Sequence, residues 1–191
     1  MDLIEGQEFR KLNGETFPGP SEFDNCHFDD CMLQNADLSR SNFIECRFSH
    51  SDLSNASLDA TSFQKTIFQD CQLLGLHLFN CNTINFEVDF INCLLDLSVF
   101  QEMNLKRSRF KDCRLTGVDF TAADLSGVNL EQCNLQNAVF ERSILIKTDF
   151  TTARHITLDP EVNTLTGAKF SEQGALNLLN KYQVEIIPDI I

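Results

Sequence analysis

The chain has no tryptophan, one tyrosine, 4 prolines and 8 glycines among 191 residues. So few of them exclude a collagen-like or proline-rich low-complexity chain. No apolar run approaches the ~18 residues that read as a membrane-spanning helix. The opening "MDLIEGQEFRKLNG" is acidic and lacks the apolar stretch of a secretory signal, so a cytoplasmic protein is expected. No C-x-x-C pair, glycine-rich phosphate loop, H-E-x-x-H or Ser/His/Asp order occurs, which removes the common metal, nucleotide and hydrolase signatures. Positive charge is scarce too: 15 Lys and Arg face 28 Asp and Glu, a net charge of −13. Such a chain repels phosphates, so unaided binding to nucleic acid is not expected. The charge favours solubility and a basic partner.

What is abundant is phenylalanine, with 17 copies. Stepping by five from Phe23 gives Phe28, Leu33, Leu38, Phe43, Phe48, Leu53, Leu58, Phe63, Phe68, Leu73 and Leu78. The step falters at Thr83, resumes two residues out of phase at Phe90, and runs through Phe100, Phe110, Phe120, Leu130 and Phe140 to Phe150. Two residues before each centre sits something small or moderately apolar, such as Cys26, Ala36, Ser41, Thr61 or Val118. Neither a helical period of 3.6 nor a strand period of 2 explains this. A chain that turns a corner after each quintet, with two inward residues per side, does. Four corners close a square, so one coil takes twenty residues.

Centres twenty apart should then match, and they do. Phe23, Phe43 and Phe63 form one column, Phe28, Phe48 and Phe68 another, and Leu33, Leu53 and Leu73 a third. Treating Phe86-Glu87 as an insertion keeps Leu33 through Leu135 as one all-leucine column. The expected architecture is a solenoid of stacked square coils. Residues 1–20, with the "FPGP" stretch, read as an N-terminal lead-in. Residues 21–154 form the repeat, broken near 84–88. Residues 155–191 form a C-terminal cap. In that cap Ser171 is a plausible helix N-cap, Ala175, Leu178, Leu179 and Tyr182 lie at helical spacing, and "VEII" (Val184 to Ile187) reads as a short strand.

All eight cysteines fall at the small inward position, so they read as core filler rather than metal ligands. His27, His50 and His77 take outward or turn positions. Aspartates such as Asp37, Asp52, Asp119 and Asp124 occupy a standard polar slot before their centres. No catalytic constellation, cofactor site or metal site is expected. Charge is the remaining signal. Residues 1–105 carry 17 acidic and 5 basic side chains, and residues 106–191 carry 11 and 10. The face of Phe28, Phe68 and Phe110 presents an acidic stripe: Asp29, Asp30, Asp70, Asp89, Asp112, Glu131 and Asp149. Arg47, Arg109 and Lys111 interrupt it.

The quintet resembles the A(D/N)LXX motif of the pentapeptide-repeat family, cleanly in "CRLTGVDFTAADLSGVNLEQCNLQNAVF", and the resemblance covers roughly residues 21–152. It implies an all-β fold, a right-handed quadrilateral β-helix. The length, the mid-chain break (Asn85, Phe86, Glu87) and the ending "DPEVNTLTGAKFSEQGALNLL" are similar to the Qnr and MfpA-like group. That resemblance implies a non-catalytic DNA mimic that binds type II topoisomerase, DNA gyrase or topoisomerase IV, through the acidic stripe and protects it from quinolone or toxin poisons. It also implies a homodimer joined through Leu176, Leu178, Leu179 and Tyr182. The other reading left open is a scaffold or interaction module with an unrelated partner.

Overall fold

A computed structural model describes residues 1–185 and 187. Eleven strands are numbered here in chain order. The first sheet joins β1 (Asp2–Glu5), β3 (Ser21–Asp24), β5 (Asn42–Ile44) and β7 (Ser62–Gln64). The second joins β2 (Glu8–Arg10), β4 (His27–Asp29), β6 (Arg47–Ser49), β8 (Thr66–Gln69), β9 (Val88–Ile91), β10 (Arg109–Lys111) and β11 (Leu130–Glu131). Every pairing between these strands is parallel. Phe23 pairs with Phe43 and Phe28 with Phe48, so neighbouring strands are successive turns of one solenoid. The other two faces carry single bridges, such as Met32 to Asp52 and Val99 to Asp119.

The quintet explains this shape. The centre and the residue two before it are buried along the rod, while the flanking residues face outward. The residue two after most centres takes a left-handed backbone, as at Asn25, Asp30, Asn35, His50 and Asp70. That conformation turns the corner. It costs roughly 1–2 kcal/mol for most L-residues and less for Asn or Asp, whose short polar chains tolerate it. Inside, rings stack coil on coil: Phe28 lies 4.5 Å from Phe48, and Phe48 lies 4.9 Å from Phe68.

The break adds two residues. Asn82 still bridges Ser62, twenty apart, but Val88 pairs with Thr66, twenty-two apart. Thr83 is exposed at its centre position and Phe86 is the buried side chain instead. The disturbance reaches the core, where Phe68 and Phe90 are 5.7 Å apart. A short 3-10 turn at Leu78–Asn80 precedes it and leaves Phe79 41% exposed.

Both ends depart from expectation. Residues 2–10, read as lead-in, form β1 and β2, which pair with β3 and β4. At the far end the coils continue past His155: Thr164 bridges Ile144, Lys169 bridges Asp149, and Phe170 stacks on Phe150 at 5.1 Å. Leu165 and Phe170 lie twenty residues after Leu145 and Phe150, so the period was present but obscured by 155–163. The helix is shorter than its spacing suggested. α1 spans Glu172–Asn177, capped by the Ser171 hydroxyl, which accepts from the Gly174 amide. A 3-10 turn, Asn180–Tyr182, follows. Val184, Glu185 and Ile187 are not strand, and Ile186 of the expected "VEII" strand lies outside the described residues.

Candidate functional site: the charged faces and the register break

The acidic stripe is not a continuous negative surface. Asp30, Asp70 and Asp112 are corner residues with left-handed backbone, two coils and so roughly 9.6 Å apart along the rod. Their identity therefore has a structural reason. Asp29, Asp30 and Asp70 do gather, but around a histidine: His50 Nδ1 lies 3.0 Å from Asp29 and Nε2 lies 3.8 Å from Asp70. The hydrogen bond to Asp29 raises the His50 pKa and holds the Asp29 carboxyl below its usual range. Asn92 donates to Asp70 at 2.6 Å and lowers its pKa further. Asp89 moves the other way, because partial burial outweighs the attraction of Arg109. Further along, Glu131 is held by Lys111 at 3.0 Å and Arg109 at 3.6 Å, and Asp149 by Lys169 at 3.4 Å.

The basic cluster has the same explanation. Lys106, Arg107, Arg109, Lys111 and Arg114 lie in one coil, and each reaches an acid of a neighbouring coil. Lys106 pairs with Asp124 at 2.7 Å, Arg114 with the buried Asp96, and Arg107 more loosely with Glu87 at 3.9 Å. Such exposed pairs add little stability each. They do cancel charge.

The unpaired acid lies elsewhere. Glu5, Glu22 and Asp24 share the outer face of the first sheet, Glu5 directly beside Asp24, and none makes an ion pair among the described residues. The sequence signal for this patch was the flanking positions of the Phe23 column in the strongly acidic half.

At the break, Asn85 has a left-handed backbone and Ile84 is 71% exposed. A cavity of about 220 Å³ is lined by Thr83, Asn85, Phe86, Asn104, Lys106 and Arg107. A second of about 180 Å³ shares Asn85 and Arg107 and adds Ile44, Glu45, Gln64, Lys65 and Glu87. At the C-terminus Leu178 packs back on the core, whereas Leu179 and Tyr182 are 40% and 45% exposed. The Tyr182 hydroxyl donates to Glu161 at 2.7 Å, and Lys181 bridges Asp159 and Glu161. Leu176 is half-buried beside them.

All eight cysteines are buried free thiols. Burial pushes the Cys46 thiol up to about 12. Among the described residues, no group of three or more His, Cys, Asp or Glu is placed to hold a metal ion. No described helix is long and apolar enough to cross a membrane.

A repeat of twenty residues, four faces and stacked inward rings define a quadrilateral β-solenoid. Pentapeptide-repeat models match residues 21–59, 46–82 and 83–170, and the chain belongs to the pentapeptide-repeat family. Among solved structures, two trypsin-treated variants of QnrB1, a plasmid-mediated fluoroquinolone resistance protein, match almost end to end. One has a TM-score of 0.63 at 19% identity, covering 97% of this chain and 98% of that one. The other has 0.62 at 19% identity, covering 98% and 99%. At that identity the likeness establishes the fold. A search of curated protein sequences returns no match.

Proposed function

We propose that this protein is a non-catalytic rod that binds a type II topoisomerase, DNA gyrase or topoisomerase IV, as a partial mimic of DNA, and shields it from quinolone or toxin poisons. The observation that carries this reading is the end-to-end likeness to QnrB1, a fluoroquinolone resistance protein. The unpaired acids of the first sheet and the Asp29–Asp30–Asp70 group supply the negative surface. It is sparser than B-DNA, which carries one charge per ~1.7 Å of axis. Binding is therefore concentrated on the N-terminal half, where the net charge is −12.

The assembly we propose is a cytoplasmic homodimer joined through Leu176, Leu178, Leu179 and Tyr182. Leu179, Tyr182, Val184 and Ile187 present exposed apolar surface there. Sedimentation at micromolar concentration tests it, and Leu179→Asp should shift a dimer to monomer.

Purified protein should relieve quinolone inhibition of gyrase supercoiling. Charge reversal of Asp29, Asp30 and Asp70 to Lys, alone and combined with Glu22→Lys and Asp24→Lys, should abolish the effect. No change in supercoiling or in drug inhibition with the wild-type chain defeats the proposal.

A further inference from the structure

The solenoid poses a recognition problem. Coils twenty residues apart present similar corners and similar spacing, so a partner that reads only charge could bind in registers offset by one coil, about 4.8 Å. The register break is where the 20-residue translation becomes 22. We propose that it is an indexing site: its larger cavity accepts an extended acidic–apolar segment of the partner and fixes where along the rod that partner sits. This inference rests on the topoisomerase reading only for the partner's name.

Three observations support the occupant. First, the wall is donor-rich in an otherwise acidic rod. Asn85, Asn104, Thr83, Lys106 and Arg107 surround the larger cavity. Second, Arg107 is shared by both cavities and is loosely held. Its contact to Glu87 is 3.9 Å, against 2.7 Å for Lys106–Asp124 and Lys65–Glu45. That contact to Glu87 is too long for a hydrogen bond, so the planar fork can exchange it for a carboxylate held in bidentate fashion. Third, Ile84 stands 71% exposed next to these donors, and Phe79 is exposed one corner earlier. A carboxylate on Arg107 with an apolar neighbour on Ile84 satisfies both features. The rest of the N-terminal half repels such a segment, which restricts it to this place.

The direct test uses an acetylated, amidated peptide of alternating leucine and glutamate, Leu-Glu-Leu-Glu-Leu, added at millimolar concentration to the ¹⁵N-labelled chain. Shifts confined to residues 83–87 and 104–107 are expected, and they should vanish in Arg107→Gln. An unchanged spectrum, or shifts scattered along the rod, overturns the proposal. The second test measures gyrase binding and cross-link maps for wild type, Ile84→Ser and Arg107→Gln, with unchanged melting temperature as the folding control. Each variant should bind about tenfold more weakly. The double variant should spread its cross-links over sites one coil apart. Wild-type-like affinity with a single cross-link set overturns the indexing role while leaving topoisomerase binding intact. Failure of the wild type to bind gyrase defeats the topoisomerase reading, and the peptide result then decides the groove alone.

Discussion

Replacing Phe48 with alanine should cost about 4 kcal/mol of folding free energy, near the middle of the range for emptying a buried phenylalanine site. Phe48 is fully buried, with rings stacked above and below at 4.5 and 4.9 Å and Phe43 edge-on at 5.3 Å. The site cannot collapse easily. Its coil is pinned to both neighbours, as the Arg47 amide donates to Cys26 at 2.9 Å and the His50 amide donates to Gln69 at 3.2 Å. The void therefore persists and its lining loses contacts on every side. Phe9→Ala is the control. Phe9 is partly buried at the end of the same column and stacks on one side only, at 4.9 Å from Phe28. It should cost about 2 kcal/mol. Urea unfolding followed by far-ultraviolet circular dichroism measures both. A loss under about 1 kcal/mol for Phe48→Ala, or equal losses at the two positions, would refute the view that interior ring stacking holds the coils.

Three further outcomes are expected. Histidine NMR should place the His50 pKa above 6.5, and Asp29→Asn should return it towards that value. Since the folded pKa of His50 is raised, its contribution is complete below 6.5 and is lost as pH rises through the folded value. That of Asp29, whose pKa is lowered, is present above 3.8 and is lost as pH falls through the folded value. The pair thus acts in the mildly acidic window between, and a flat titration of His50 at 6.5 would contradict it. Ellman's reagent at pH 8 should find no reactive thiol in the folded chain and eight after denaturation, because all eight are buried out of the reagent's reach and burial also pushes the Cys46 thiol up to about 12. Deleting Phe86 and Glu87 together with Thr83→Leu should heal the register. One buried apolar side chain replaces another, so stability should stay within about 2 kcal/mol. A crystal structure should show Phe68 and Phe90 closing from 5.7 Å towards the spacing of their neighbours.

The C-terminal end shows where reading by pattern stopped short. Leu165 and Phe170 kept the period of twenty, but the irregular stretch before them hid it, and Ala175 to Tyr182 suggested one helix where α1 ends at Asn177. Leu178 turns back to the core at that point, while Leu179 and Tyr182 remain exposed.

By itself the sequence determined the coil, the inward residues and the two-residue offset at Phe86-Glu87. Burial at a fixed period is local in the chain, so a one-dimensional pattern records it fully. The tertiary structure alone decided which charges meet. Residues about twenty apart become neighbours across a strand spacing. There His50 joins Asp29 and Asp70, Lys111 neutralises Glu131, and Glu5 and Asp24 are left facing solvent side by side. The reach of long side chains and the twist of each corner set those contacts, and neither is written in the spacing. The same holds for the break, whose two extra residues were visible but whose exposed Ile84 and shared Arg107 cavity follow from Phe86 turning inward where Thr83 does not.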